Sequence, residues 1–172
     1  MAGKGQEIPE FVLERAFAAP PQTVWRTWTE PALLARWYKP DPMCQTTVVR
    51  HELHPGGIML YQMRFGDKPP HCERWEFSVI EPPRRLQWKQ MMADVDGNVI
   101  GNPMMPDWPR VMLATIDLQS QGAGTLQRLT WQPYEATEVE IACFRNASAH
   151  LGKGWVGGLK NLGDLLTELV GG

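Results

Sequence analysis

The chain has 172 residues, 43% of them hydrophobic and 21% charged, with a formal net charge of −2 from 17 basic and 19 acidic residues. These totals suit one globular domain, residues 1–172 with an ordered core over about 7–169, and they offer no basic face to a nucleic acid. No stretch approaches the roughly 18 apolar residues of a membrane span, and Met1–Glu10 lacks an apolar run of signal-peptide length, so a cytoplasmic location is expected. Cys44, Cys72 and Cys143 are far apart and form no Cys-x-x-Cys, which reads as three structural thiols rather than a disulfide or zinc framework. Eight Trp and nine Met call for a placement, in a core or on a cavity wall.

In chain order, Glu7 to Phe17 alternates as a strand, and Ala18-Ala-Pro-Pro21 stops it. Pro21 opens a helix in which Val24, Trp25 and Trp28 share a face; Thr29-Glu30-Pro31 breaks it and starts a second short helix with Leu33, Leu34, Trp37 and Tyr38. Strands follow over Gln45–Leu53, Ile58–Phe65, Cys72–Ile80 and Leu86–Met92, separated by Pro- and Gly-bearing turns. The connection 93–109, with its Met, Pro and Trp108, reads as a lid, a rim or a dimer contact. Arg110–Leu118 and Thr125–Gln132 form a further hairpin, and a helical region begins after Ala136. Within it, Trp155, Leu159, Leu162, Leu166 and Leu169 fall at steps of four, three, four and three, one stripe of an α-helix. A meander with one apolar face has to be covered, and only this last helix is long enough to cover it. The fold class is therefore α+β.

The order of motifs resembles the AHSA-type proteins. It consists of Ala18-Ala-Pro-Pro21, Val24-Trp25, Trp28-Thr-Glu-Pro31, Leu34-x-x-Trp37-Tyr38, Pro55-Gly-Gly57, Val79-Ile-Glu-Pro-Pro-x-Arg85-Leu86, Gly122-x-Gly-Thr125 and Gly154-Trp155-x-x-x-Leu159-x-x-Leu162. This family, named for an activator of a heat-shock chaperone's ATPase, lies in the START-like or SRPBCC superfamily. The resemblance implies a helix-grip fold, a curved antiparallel sheet wrapped around a long C-terminal helix, with a cavity for hydrophobic small molecules between them. It also raises a chaperone as a partner. The chain departs from the pattern in the long connection 93–109 and in the segment Glu138–Lys153.

By strand parity the inward set is Met59, Tyr61, Met63, Trp75, Phe77, Trp88, Gln90, Met112 and Trp131, faced by Trp155 and Leu159. These are the expected ligand-binding residues for a lipid- or polyketide-like molecule. Glu73 shares the inward parity and is a candidate polar anchor, although the end of its strand is expected to fray and let it reach solvent. His51, His54, His71 and His150 are scattered over strand, turns and helix, without a His-x-x-x-His or His-x-Glu spacing on a helix, so neither a metal nor a cofactor is expected. No nucleophile elbow or phosphate loop is present. A binding role is favoured over an enzyme; the enzymatic alternative is a cyclase or hydratase using Glu73 or a histidine in the cavity. Gly157 and Gly158 are expected to thin the helix where the sheet or a ligand approaches.

Overall fold

The computed structural model describes residues 7–172. Strand β1 (Phe11–Phe17) is followed by helices α1 (Pro21–Thr29) and α2 (Pro31–Trp37). Strands β2 (Cys44–His51), β3 (Ile58–Phe65), β4 (His71–Glu81), β5 (Arg85–Ala93), β6 (Met112–Gln121) and β7 (Gly124–Pro133) come next, and helix α3 (Glu138–Gly171) closes the chain. The seven strands form one sheet in the order β1-β7-β6-β5-β4-β3-β2, every neighbouring pair antiparallel. After β1 the chain crosses through α1 and α2 to the far edge, then meanders back until β7 lies beside β1. This is the helix-grip arrangement: a sheet with two short helices at one end and one long helix across its inner face.

Local chemistry sets the element ends. Pro21 and Pro31 each stand in a first helical turn, where a missing N–H costs no hydrogen bond. The α3 N-terminus is held by a capping box: Thr137 Oγ1 accepts from the Glu140 N–H while the Glu140 carboxylate accepts from the Thr137 N–H. Glu140 also accepts the Arg110 N–H at 3.0 Å, which ties the start of α3 to the segment ahead of β6. The segment 138–153 is thus the first half of one 34-residue helix rather than a separate insertion. β1 begins at Phe11, later than its alternation suggested, and β6 runs on to Gln121.

Between sheet and helix lies an aromatic core. Trp28 of α1 stands at its centre, with ring centroids 4.6 Å from Trp37, 5.6 Å from Trp88, 6.5 Å from Trp75 and 6.4 Å from Trp155. Trp75 and Trp88, on adjacent strands, stack at 4.2 Å. The Trp28 indole donates to Gln127 Oε1 at 2.8 Å, which pairs the side-chain oxygen of a fully buried glutamine on β7. Trp37 donates to the Thr27 carbonyl at 2.8 Å. The α3 stripe meets this core through Trp155, Leu159, Leu162 and Leu166, all buried. Cys44 and Cys72 are buried free thiols, and Cys143 is a partly buried one.

Two expectations change. Trp108 of the long connection, read as part of a lid, a rim or a dimer contact, is half-buried: it packs on Trp131 at 5.5 Å and Phe144 at 5.6 Å, so the connection is docked on the body. The close approach on α3 is at Gly152, where a Cβ would lie 2.3 Å from the Phe11 ring of β1. Gly157 faces open space, and Gly158 meets Trp37 of α2 at an ordinary 3.9 Å. Among the described residues no helix is long and apolar enough to cross a membrane.

These contacts give opposite signs for two glycine substitutions on one helix. Gly157→Ala raises stability by up to about 1 kcal/mol through helix propensity, whereas Gly152→Ala lowers it by about 1–3 kcal/mol because the Phe11 ring has to move. Urea denaturation midpoints read both, and a shift of the same sign in the two variants would refute the packing. Trp28→Phe keeps the ring contacts but leaves Gln127 Oε1 without its donor, an expected loss of about 1–3 kcal/mol by the same measurement.

Candidate functional site

The tryptophans fill one end of the groove and leave the other hollow. The hollow end lies where β3 stops, β4 starts, β5 stops and β7 nears its end. A cavity of about 460 Å³ opens there. The sheet contributes Met63, Phe65, His71, Glu73, Gln90 and Trp131 to its walls. α3 contributes Leu151, Gly154 and Trp155, and the segment after α2 contributes Tyr38, Lys39 and Pro40. A second lobe of about 160 Å³ shares His71, Glu73, Gln90, Trp131 and Leu151, and is closed by Ile100, Asn102, Met105 and Trp108 of the long connection. That connection is therefore a wall of the site.

The two lobes meet at one polar cluster. Strand register builds it: β3 and β4 pair Tyr61 directly with Glu73, Gln90 of β5 sits diagonally beside Glu73, and His71 lies two residues back on the same face of β4. Glu73 Oε2 accepts hydrogen bonds from the Tyr61 hydroxyl and from Gln90 Nε2, the latter at 2.6 Å. Its Oε1 lies 3.0 Å from His71 Nε2. The Tyr38 hydroxyl is 3.4 Å from that of Tyr61. A chain of polar groups thus runs Tyr38, Tyr61, Glu73, His71, and both of its ends line the cavity.

Burial pushes the Glu73 carboxyl up, but the His71 partner and the Tyr61 and Gln90 donors outweigh it and hold the group below the usual carboxylate range. Glu73 is therefore an anion that only accepts, and the proton between it and His71 resides on Nε2. The hydrogen bond to Glu73 raises His71 above the ordinary histidine value, against the opposing effect of burial. Burial first, then the Glu73 charge, pushes the Tyr38 and Tyr61 phenols up, so both stay protonated.

Glu73 does not fray into solvent. β4 begins one residue earlier than its alternation suggested, at His71, and the cluster holds the carboxylate with only 16% of its side chain exposed. Of the residues expected to bind a ligand, Met63, Gln90, Met112, Trp131 and Trp155 lie on the walls of the two lobes, with Glu73 among them. Met59, Tyr61, Trp75, Phe77, Trp88 and Leu159 lie in the solid core, Tyr61 touching the site through its hydroxyl. Parity told inward from outward but not filled from hollow. Sequence reasoning missed Tyr38, Phe65, His71, Leu151 and Gly154. The signal for His71 was present: His71-x-Glu73 at the two-residue spacing of a strand places both side chains on one face. Among the described residues no group of three His, Cys, Asp or Glu side chains is gathered as a metal site.

Solved structures share the fold. A protein from Arthrobacter aurescens superposes with a TM-score of 0.77 at 24% identity, over 95% of this chain and 92% of that one. One from Mycobacterium smegmatis gives 0.74 at 21% identity over 94% and 96%. One from Rhodobacter sphaeroides gives 0.71 at 23% identity over 95% and 99%. No curated protein matches the chain in sequence. The family model described as activator of Hsp90 ATPase homolog 1-like protein matches residues 18–166, from the end of β1 to the last turns of α3. The gripped helix and the sequence match agree: the chain belongs to the family of activator of Hsp90 ATPase homolog 1-like proteins.

Proposed function

We propose that this protein binds a small amphipathic molecule in the two-lobed cavity. The apolar body lies among Met63, Phe65, Trp131 and Trp155, and the polar group meets the cluster around Glu73 and His71. The observation that carries the reading is an ionised carboxylate, held by three donors, on the wall of an otherwise apolar hollow of about 460 Å³. Leaving such a space empty forgoes packing, and desolvating a carboxylate within it is costly. An apolar residue at position 73 would serve a purely structural core better. A concave apolar site with a few convergent polar groups is the usual form of a small-molecule pocket, and the volume falls in the usual range of about 300–1,000 Å³. The START-like resemblance supports the same reading. Interaction with a chaperone is raised by the family's description alone.

Gly154 provides the test. It lies on α3 at the cavity wall, and a Cβ there would meet no atom within 4 Å. Gly154→Phe should stabilise the helix by roughly 0.5 kcal/mol or less through propensity, yet fill the opening and weaken binding at least about tenfold, a change of about 1.4 kcal/mol in binding free energy. The probes are 8-anilinonaphthalene-1-sulfonate and 2-naphthol, titrated against the wild type and the variant by calorimetry, with thermal melts alongside. Binding that is equal in the two proteins, or absent from the wild type, would overturn the proposal.

A further inference from the structure

We infer that His71 is a general base, positioned by Glu73, that moves a proton at the carbon beside a carbonyl group of a molecule held in the cavity. This goes beyond binding and rests on the binding reading. The geometry that carries it is the fixed tautomer. Glu73 is an acceptor, so the shared proton sits on His71 Nε2, and in the neutral ring Nδ1 carries the lone pair. Among the described residues Nδ1 has no hydrogen-bond partner, and it is not one of the buried polar atoms left without one. His71 keeps 34% of its side chain exposed, its Nδ1 is not buried, and the residue lines both lobes, which brings a molecule held there beside the ring.

The other end of the polar chain supplies the second group the reaction needs. Tyr61 gives its one proton to Glu73, so the Tyr38 hydroxyl, 3.4 Å from that of Tyr61, can turn its proton either to the Tyr61 oxygen or to a ligand oxygen in the cavity that Tyr38 lines. The step balances within the substrate. The Nδ1 lone pair takes a proton from the carbon next to the carbonyl; the C–H electron pair becomes a C=C bond, and the carbonyl π pair moves onto oxygen. Tyr38 hydrogen-bonds the resulting enolate. Return of the proton from Nδ1 to the same carbon restores the ketone, and return to a conjugated carbon gives the double-bond isomer. No oxidant, metal or co-substrate takes part. His71 is then the catalytic residue and Glu73 a positioning residue. The charged groups that face the cavity from other elements are Lys39, after α2, and Arg110, ahead of β6, whose guanidinium donates to the Val99 carbonyl at 3.2 Å.

The experiment follows loss of the α-proton signals of 2-tetralone in deuterated buffer by NMR, with binding measured separately by calorimetry. The wild type should accelerate exchange over buffer at least about 100-fold, and His71→Gln should abolish that gain even at saturating 2-tetralone, where weakened binding does not enter the rate. The wild-type rate should rise with pH and level off above the raised His71 value, because the neutral ring is the base. Glu73→Gln should move the rising limb to lower pH and lower the plateau, a change that a merely structural role for Glu73 would not produce. Bound 2-tetralone without exchange above buffer, or His71→Gln exchanging at the wild-type rate, would overturn the proposal. If 2-naphthol binds and 2-tetralone does not, this proposal alone fails. If neither binds, the binding reading fails and this one falls with it.

Discussion

The structure depends on how one indole, that of Trp28, is satisfied. A Trp brought by a short helix onto the inner face of a sheet has to bury a large ring and also place an N–H. Gln127 accepts that N–H from the middle of β7, and four further tryptophans surround the ring. The contact fixes α1 against the sheet, and α1 carries α2 with it. Trp37 then closes the edge of the cluster, and Arg36 of α2 pairs with Glu168 on the last turns of α3 at 2.7 Å. One end of the groove between sheet and helix is thereby full.

That filling decides where the hollow is. A long helix lying across a curved sheet touches it best where large side chains bridge the gap. The C-terminal half of α3, from Leu159 to Leu166, lies where α1 and α2 supply extra aromatic mass, and its leucines are buried. The first half runs over the ends of β3, β4 and β5 without such a filler. There the helix presents Leu151 and Gly154 towards the cavity, and the long connection between β5 and β6 folds in to wall it. The same connection docks through Trp108 on Trp131 and Phe144. Cavity and core are two ends of one groove, separated by Trp155, whose ring touches Trp28 and Trp131 and lines the hollow.

At the hollow end the sheet carries charge inward, which a sheet over a solid core rarely does. The cost is met locally. Tyr61 across the strand, Gln90 on the diagonal and His71 along the strand each bring a donor to Glu73. Each of these positions follows from antiparallel register, so the cluster is as rigid as the ladder that bears it. A polar group on such a frame meets a ligand already oriented, which lowers the ordering cost of recognition.

The sequence by itself determined the elements and their faces. Two-residue alternation along β3, β4, β6 and β7 and the leucine stripe of α3 each record which side is apolar, because a side chain's direction on a strand or helix is a local property. The α+β meander and its covering helix were legible for that reason, and the motif order from Ala18 to Leu162 pointed to the family. Tertiary structure alone decided which inward residues enclose space. Trp75 and Trp88 are as inward as Trp131, yet they are stacked and solid while Trp131 faces a cavity, because Trp28 from a distant helix fills the space over the former, whereas Trp108, Phe144 and Trp155 pack around the latter and leave the space beside it open. Pairing likewise decided the state of Glu73. Its parity pointed it inward, but its charge and its partners depend on Tyr61 and Gln90, and only the register of β3, β4 and β5 brings those beside it.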